Sequence, residues 1–94
     1  MGLKLTVLAS GSSGNATLVE AGEFGLLLDV GLGPRQLGAR LADAGASWDR
    51  VHAVLLTHTH SDHWDDATLT HLWRRRTPLF CSRRHHQVLQ SWSR

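Results

Sequence analysis

With a single cysteine, Cys81, the 94-residue chain cannot close a disulfide within itself, and one thiol fits a reducing compartment. Long hydrophobic runs are also missing. The apolar stretch Leu5–Ala9 is too short for a signal-peptide core and far too short to span a bilayer. The expectation is therefore a cytoplasmic protein without a membrane partner. No repeat, low-complexity segment or linker-like composition divides the chain. With 41% apolar and 19% charged residues it reads as one small folded domain or a piece of a larger one. Acids are absent after Asp66. All 8 lie at or before Asp66, whereas Arg74, Arg75, Arg76, Arg83, Arg84 and Arg94 follow, a split hidden by the net charge of +2. Three readings stay open: a face for a polyanion such as nucleic acid, a helix ending near Arg76 with cations at its negative pole, or balancing acids downstream.

Periodicity sets the expected elements. Leu3, Leu5 and Val7 alternate with Lys4 and Thr6, which predicts a strand over 3–8. Ser10-Gly11-Ser12-Ser13-Gly14-Asn15 is a turn-rich loop with little side-chain bulk. Strands over 16–20 and 24–29 flank the turn signal Ala21-Gly22-Glu23 and form a hairpin. Leu26-Leu27-Leu28 is apolar on both faces, so that strand should be covered on both sides. Pro34 can open a helix whose stripe is Leu37, Leu41 and Ala44, with Gly45 as its C-terminal cap. A strand over 51–56 follows Trp48. Asp65 and Asp66 favour the start of a second helix, with Leu69, Leu72 and Trp73 on one face and Pro78 beyond its end. A short strand over 79–81 and a helix over 83–92 complete the order β-β-β-α-β-loop-α-β-α. The expected helices are too little cover for such a sheet, so a further layer is expected beyond residue 94.

The chemistry concentrates in one place. Residues 57–63 read Thr-His-Thr-His-Ser-Asp-His, with His58, His60, Asp62 and His63 offering three imidazoles and a carboxylate. Such donors suit zinc, iron or manganese. In extended backbone, residues two apart point the same way, about 6.6 Å apart, so His58 and His60 can approach one ion together. Asp62 and His63 come after a turn and approach from another direction. Two differently directed pairs suit two ions about 3.5–4 Å apart, a geometry that clamps attacking and leaving oxygens in hydrolysis. A polar loop with Asp62 capping a helix would explain the carboxylate but not three histidines. His52, His71, His85 and His86 are read instead as surface or capping residues.

At His58-Thr59-His60-Ser61-Asp62-His63 the chain resembles the metallo-β-lactamase superfamily, whose signature is His-x-His-x-Asp-His at the end of a buried strand. Val54-Leu55-Leu56-Thr57 is similar to the strand entering that motif, and Leu26–Gly31 to an earlier strand ending in Asp-x-Gly. The Ser/Gly loop resembles the YycJ-type branch, associated with DNA exonuclease activity. The resemblance implies an α+β chain, the N-terminal half of an αββα sandwich with a mixed sheet and flanking helices. Residues 1–94 would form an incomplete domain of that kind. It also implies two divalent ions, zinc foremost with manganese or iron as alternatives. His58 and His60 would hold the first, Asp62 and His63 the second, and Asp62 would orient the attacking hydroxide. Asp29 would support the metal loops by fixing ligand orientation, although a carboxylate ending a strand in a turn is an equally good reading. Ser12, Ser13 and Asn15 belong to a loop whose backbone N–H groups could meet a phosphate oxygen, or which simply connects two strands.

Two departures from the family pattern stand out. Asp66 occupies a place where glycine is common, and if that position needs a left-handed backbone, aspartate tolerates it less well than glycine. The family's later ligands, two histidines and a bridging aspartate, have no counterpart after Cys81. The function implied is a metal-dependent hydrolase whose metal-bound hydroxide attacks a phosphodiester, with DNA or RNA as substrate in an exonuclease-like reaction. The alternatives are a thioester or lactam hydrolase of another branch, or a truncated, inactive metal-binding fragment. The 94-residue chain alone is expected to be inactive.

Overall fold

The computed structural model describes residues 2–11, 14–57 and 65–81. Five strands form one sheet in chain order: β1 (Leu3–Ala9), β2 (Ala16–Ala21), β3 (Phe24–Leu28), β4 (Ala53–Leu55) and β5 (Leu79–Phe80). Helix α1 (Pro34–Asp43) links β3 to β4, and α2 (Asp66–Arg74) precedes β5. The first three strands pair antiparallel, while β3–β4 and β4–β5 pair parallel, so the sheet is mixed and the class is α+β. The β2–β3 hairpin turns at Gly22, whose φ of +61° is glycine's ordinary territory.

Both helices begin and end where the residue chemistry says they should. Pro34 sits in the first turn of α1, and Leu37 and Leu41 form its buried stripe. Its end is a Schellman motif: Gly45 N–H bonds to Ala42 O at 2.9 Å and Ala46 N–H to Leu41 O at 2.8 Å, with Gly45 at φ +76°. Asp65 caps α2 by accepting the Thr68 N–H. The same closing motif recurs at the end of α2, where Arg76 N–H bonds to Trp73 O and Thr77 N–H to Leu72 O. There the left-handed residue is Arg76, at φ +60°. The expected end of a helix near Arg76 is thus what the structure has. Arg75 is also engaged, reaching Asp49 at 2.9 Å.

Leu37 and Leu41 from α1 and Leu69 and Leu72 from α2 pack with Leu8, Leu18, Leu27 and Val54 of the sheet into one core. The opposite face is different. Register places Leu3, Leu5 and Val7 beside Ala21, Val19 and Thr17, then Phe24, Leu26 and Leu28, so this face is also apolar. Leu3, Leu5 and Val7 are 71%, 65% and 66% exposed, and Phe24 and Phe80 are exposed too. The two-sided cover expected for Leu26–Leu28 is therefore not met among the described residues: Leu27 is fully buried, but Leu26 and Leu28 are only half-buried. No described helix is long and apolar enough to cross a membrane.

Three expectations need correcting. Trp73 is 75% exposed rather than core, because Thr68, Leu69 and Leu72 define the buried side of α2 and Trp73 falls off it. The strand expected over 51–56 is shortened to Ala53–Leu55 by an unforeseen 3-10 turn, Trp48–Arg50, whose Trp48 carbonyl takes the Val51 N–H. Asp66 needs no left-handed backbone; it is the first residue of α2, where an acid suits the positive helix pole. The helix expected over 83–92 lies outside the described residues.

Where β3 meets the approach to β4, the backbones nearly touch. Gly25 N–H donates to His52 Nδ1 at 2.9 Å, and His52 N–H donates to Gly25 O at 2.8 Å. A Cβ on Gly25 would lie 1.8 Å from Arg50 O, which is backbone and cannot swing aside. His52 also stacks on Phe24 at 5.7 Å, which accounts for it as a structural histidine. Gly25→Ala should therefore lower stability by about 1–3 kcal/mol or more, read from the denaturant midpoint. Arg76→Gly should act oppositely, raising stability read from the same midpoint by up to about 1 kcal/mol through relief of the left-handed cost.

Candidate metal centre

Strands β3 and β4 run parallel in a register that sets Leu28 beside Leu55. Their C-terminal ends therefore release Asp29 and Thr57 at the same edge of the sheet. Asp29 adopts φ +65°, a left-handed conformation that aspartate tolerates better than most residues, and is buried at 7% exposure. Its N–H still bonds to Leu55 O at 2.9 Å. Its carboxylate turns back to β4: Oδ1 accepts the Thr57 N–H at 2.8 Å and Oδ2 accepts the Thr57 hydroxyl at 2.7 Å. Two donors on an ionised carboxylate are charge-assisted and strong. The residue so gripped is the last before His58.

The next residues of the β3–α1 link receive two more attachments. Gly31 N–H donates to Asn15 O at 2.9 Å, docking the Ser/Gly loop. Gly14 closes against it so tightly that a Cβ there would lie 2.8 Å from Gly31 O. The Leu32 carbonyl accepts the Thr68 hydroxyl of α2 at 2.5 Å. Residues 29–32 thus touch the entry to 58–64, the exit from it, and the Ser/Gly loop.

Within that loop, Asn15 bonds both ways to Gly11: Oδ1 accepts its N–H at 3.2 Å and Nδ2 donates to its carbonyl at 3.0 Å. Gly14 N–H goes to the same carbonyl at 3.3 Å. The N–H groups of Gly11 and Gly14 therefore serve the loop's own shape. Ser12 and Ser13 lie outside the described residues. So do His58, His60, Asp62 and His63, together with Trp64, His85 and His86. Among the described residues, no three His, Cys, Asp or Glu side chains gather to hold an ion. Donors of the right chemistry for divalent ions are those of 58–63, immediately after the Asp29–Thr57 clamp.

Sequence reasoning singled out Asp29 and Asn15 but missed Thr57 and Thr68. Thr57 carried a signal, since it follows β4 one step before the donors, just as Asp29 follows the neighbouring β3. Thr68 carried another: a polar residue on the buried stripe of an amphipathic helix must find a partner inside.

The family model described as Metallo-beta-lactamase superfamily matches residues 9–68. The chain belongs to that superfamily. Metallo-beta-lactamase superfamily membership is joined by similarity to curated relatives. The chain is 41% identical over 67% of its length to exodeoxyribonuclease WalJ of Streptococcus pneumoniae, covering 23% of that protein. It is 44% identical over 67% to exodeoxyribonuclease YycJ of Bacillus anthracis, covering 24% of it. Ribonuclease Z of a Mycobacterium strain is 39% identical over 68% of the chain. The chain thus spans about a quarter of the length of the curated relatives it matches. Among solved structures, the metallo-beta-lactamase fold protein YhfI of Bacillus subtilis superposes on 88% of this chain and 47% of its own, with a TM-score of 0.53 and 18% identity. That likeness shows the fold.

Two titrating groups near the core are perturbed. Burial raises the pKa of the Cys81 thiol. His71 packs against Trp48 at 4.6 Å, and no described partner meets its Nε2. Burial lowers its pKa from 6.5, and the charges of Arg75 and Arg74 push the same way. A histidine that resists protonation in the fold binds more protons when unfolded, so this contribution to stability falls as pH drops below 6.5. His71→Phe should keep the ring packing and flatten that acid-side decline, as measured by denaturation midpoints between about pH 7.5 and 5.

Proposed function

We propose that this chain carries the metal-binding part of a hydrolase that cleaves phosphodiester bonds in nucleic acid, in the manner of an exonuclease. The observation that carries the reading is the buried Asp29 carboxylate gripping Thr57, one residue before a run of three imidazoles and a carboxylate. Superfamily membership and nuclease-named relatives support it. In this reading His58 and His60 hold one ion, and Asp62 and His63 a second. Zinc is the first choice by ligand type, and manganese or iron would also be accepted. Such ions, when bound, supply Lewis acidity that brings the pKa of water to about 7 and neutralises charge on phosphoryl oxygens.

The remaining roles fall to the chain itself. Asp62 orients the attacking water. Asp29 acts through Thr57, holding the strand end so that His58 leaves it in a fixed direction. Asn15 shapes the Ser/Gly loop from within, and Ser12 and Ser13 are the residues of that loop assigned to phosphate contact. The lone cysteine fits action in the reducing cytoplasm.

The full-length protein, supplied with zinc or manganese, should degrade single-stranded DNA or RNA. Asp62→Ala should lower that turnover by at least about a hundredfold, with circular dichroism unchanged. Asp29→Asn tolerates the same backbone but cannot accept both Thr57 donors, and should weaken metal binding by about 10–100-fold in a chelator competition. Hydrolysis of a glutathione thioester without cleavage of either nucleic acid would overturn the nuclease assignment in favour of another branch of the superfamily.

A further inference from the structure

Thr68 is fully buried on α2, and its hydroxyl leaves its own helix. A helical threonine ordinarily satisfies its hydroxyl on the carbonyl four residues back, as Thr70 does with Asp66 O at 3.0 Å. Thr68 instead donates to the carbonyl of Leu32, 36 positions away in sequence. Leu32 is itself buried, so that carbonyl would lose its partner without the hydroxyl. The backbone N–H of Thr68 is taken by Asp65 Oδ1 at 3.1 Å, and Leu69 N–H by Asp65 O at 2.9 Å. The first turn of α2, capped by Asp65, the first described residue after 58–64, is therefore tied through Thr68 to the β3–α1 link.

The other end of 58–64 is tied to the same link. Thr57 is held by Asp29, three positions before Leu32. The described flanks on either side of 58–64 are thus both tied to one short stretch, residues 29–32. That stretch is itself braced by Val30 and Leu32 in the core and by Gly31 on Asn15. Ligands bind an ion well only when the backbone that carries them is fixed to within a fraction of an ångström.

We propose that Thr68 is a positioning residue for the metal centre: its hydroxyl, on the Leu32 carbonyl, fixes the exit of the donor run as the Asp29–Thr57 pair fixes its entry. The inference rests on the proposed metal-binding role of 58–63, but it is read on metal affinity and ligand geometry rather than on substrate turnover.

The test compares Thr68→Val, which keeps shape and removes the hydroxyl, with Thr68→Ser, which keeps the hydroxyl and removes a methyl. Each full-length variant is titrated with zinc against a chromophoric chelator, and the visible spectrum of its cobalt form is recorded. Thr68→Val should bind zinc about 10–100-fold more weakly and give an altered cobalt spectrum, and Thr68→Ser should restore both. Should Thr68→Val fail to fold, Thr68→Ala against Thr68→Ser makes the same comparison. Wild-type affinity and spectrum in the hydroxyl-free variant would overturn the inference, as would an equal loss in Thr68→Ser, which would trace the effect to packing volume. Wild-type protein that binds zinc through these residues but cleaves no nucleic acid would end the nuclease reading and leave this one standing. A wild-type protein that binds no zinc overturns both.

Discussion

A buried carboxylate that accepts two hydrogen bonds from one threonine holds the ends of two parallel strands together. Without Asp29, the Thr57 N–H and hydroxyl would lose a charge-assisted acceptor where the β-ladder runs out. The interaction depends in turn on the backbone. Asp29 must bend to φ +65° to turn its side chain across to β4 while its N–H remains bonded to Leu55. Few residue types combine an anionic acceptor with tolerance of that conformation. Local strain at Asp29 and order at the mouth of the donor run are two aspects of one arrangement.

Around this point the architecture has a simple division of labour. The sheet and the core of Leu18, Leu27, Leu37, Leu41 and Val54 supply rigidity. The link 29–32 converts that rigidity into position by making separate contacts with the Ser/Gly loop, with Thr57 and with Thr68. Loops that carry chemistry are commonly set by a scaffold in this way. Here the scaffold contacts are backbone groups and small side chains, so they hold loops closely without filling the space between them.

Much of this was legible in the residues. Alternation and helical spacing located the five described strands and both α-helices, although the alternation that marks β1, Leu3, Leu5 and Val7, lies on its exposed face and both residues of β5 are exposed. Gly45 and Asp65 marked a helix end and a helix start through chemistry that is local by nature. What escaped was long-range. Thr57 and Thr68 look ordinary in sequence; their partners lie 28 and 36 positions away and become neighbours only when β3 and β4 align. Trp73 misled because its spacing from Leu69 fits a stripe that is narrower in the structure than in the pattern. The Trp48–Arg50 turn was hidden because its signal is a single hydroxyl, Ser47 Oγ, accepting the Asp49 N–H at 3.3 Å.

The sheet's uneven cover has a thermodynamic corollary. Side chains such as Leu3, Leu5, Val7 and Phe24 are already in contact with water in the folded chain. Among the described residues, melting this sheet consequently hydrates less fresh hydrocarbon than melting one of equal size with both faces sealed. Heat capacity and denaturant response both scale with newly wetted surface, so a sheet covered on one face gives smaller values of each than one sealed on both.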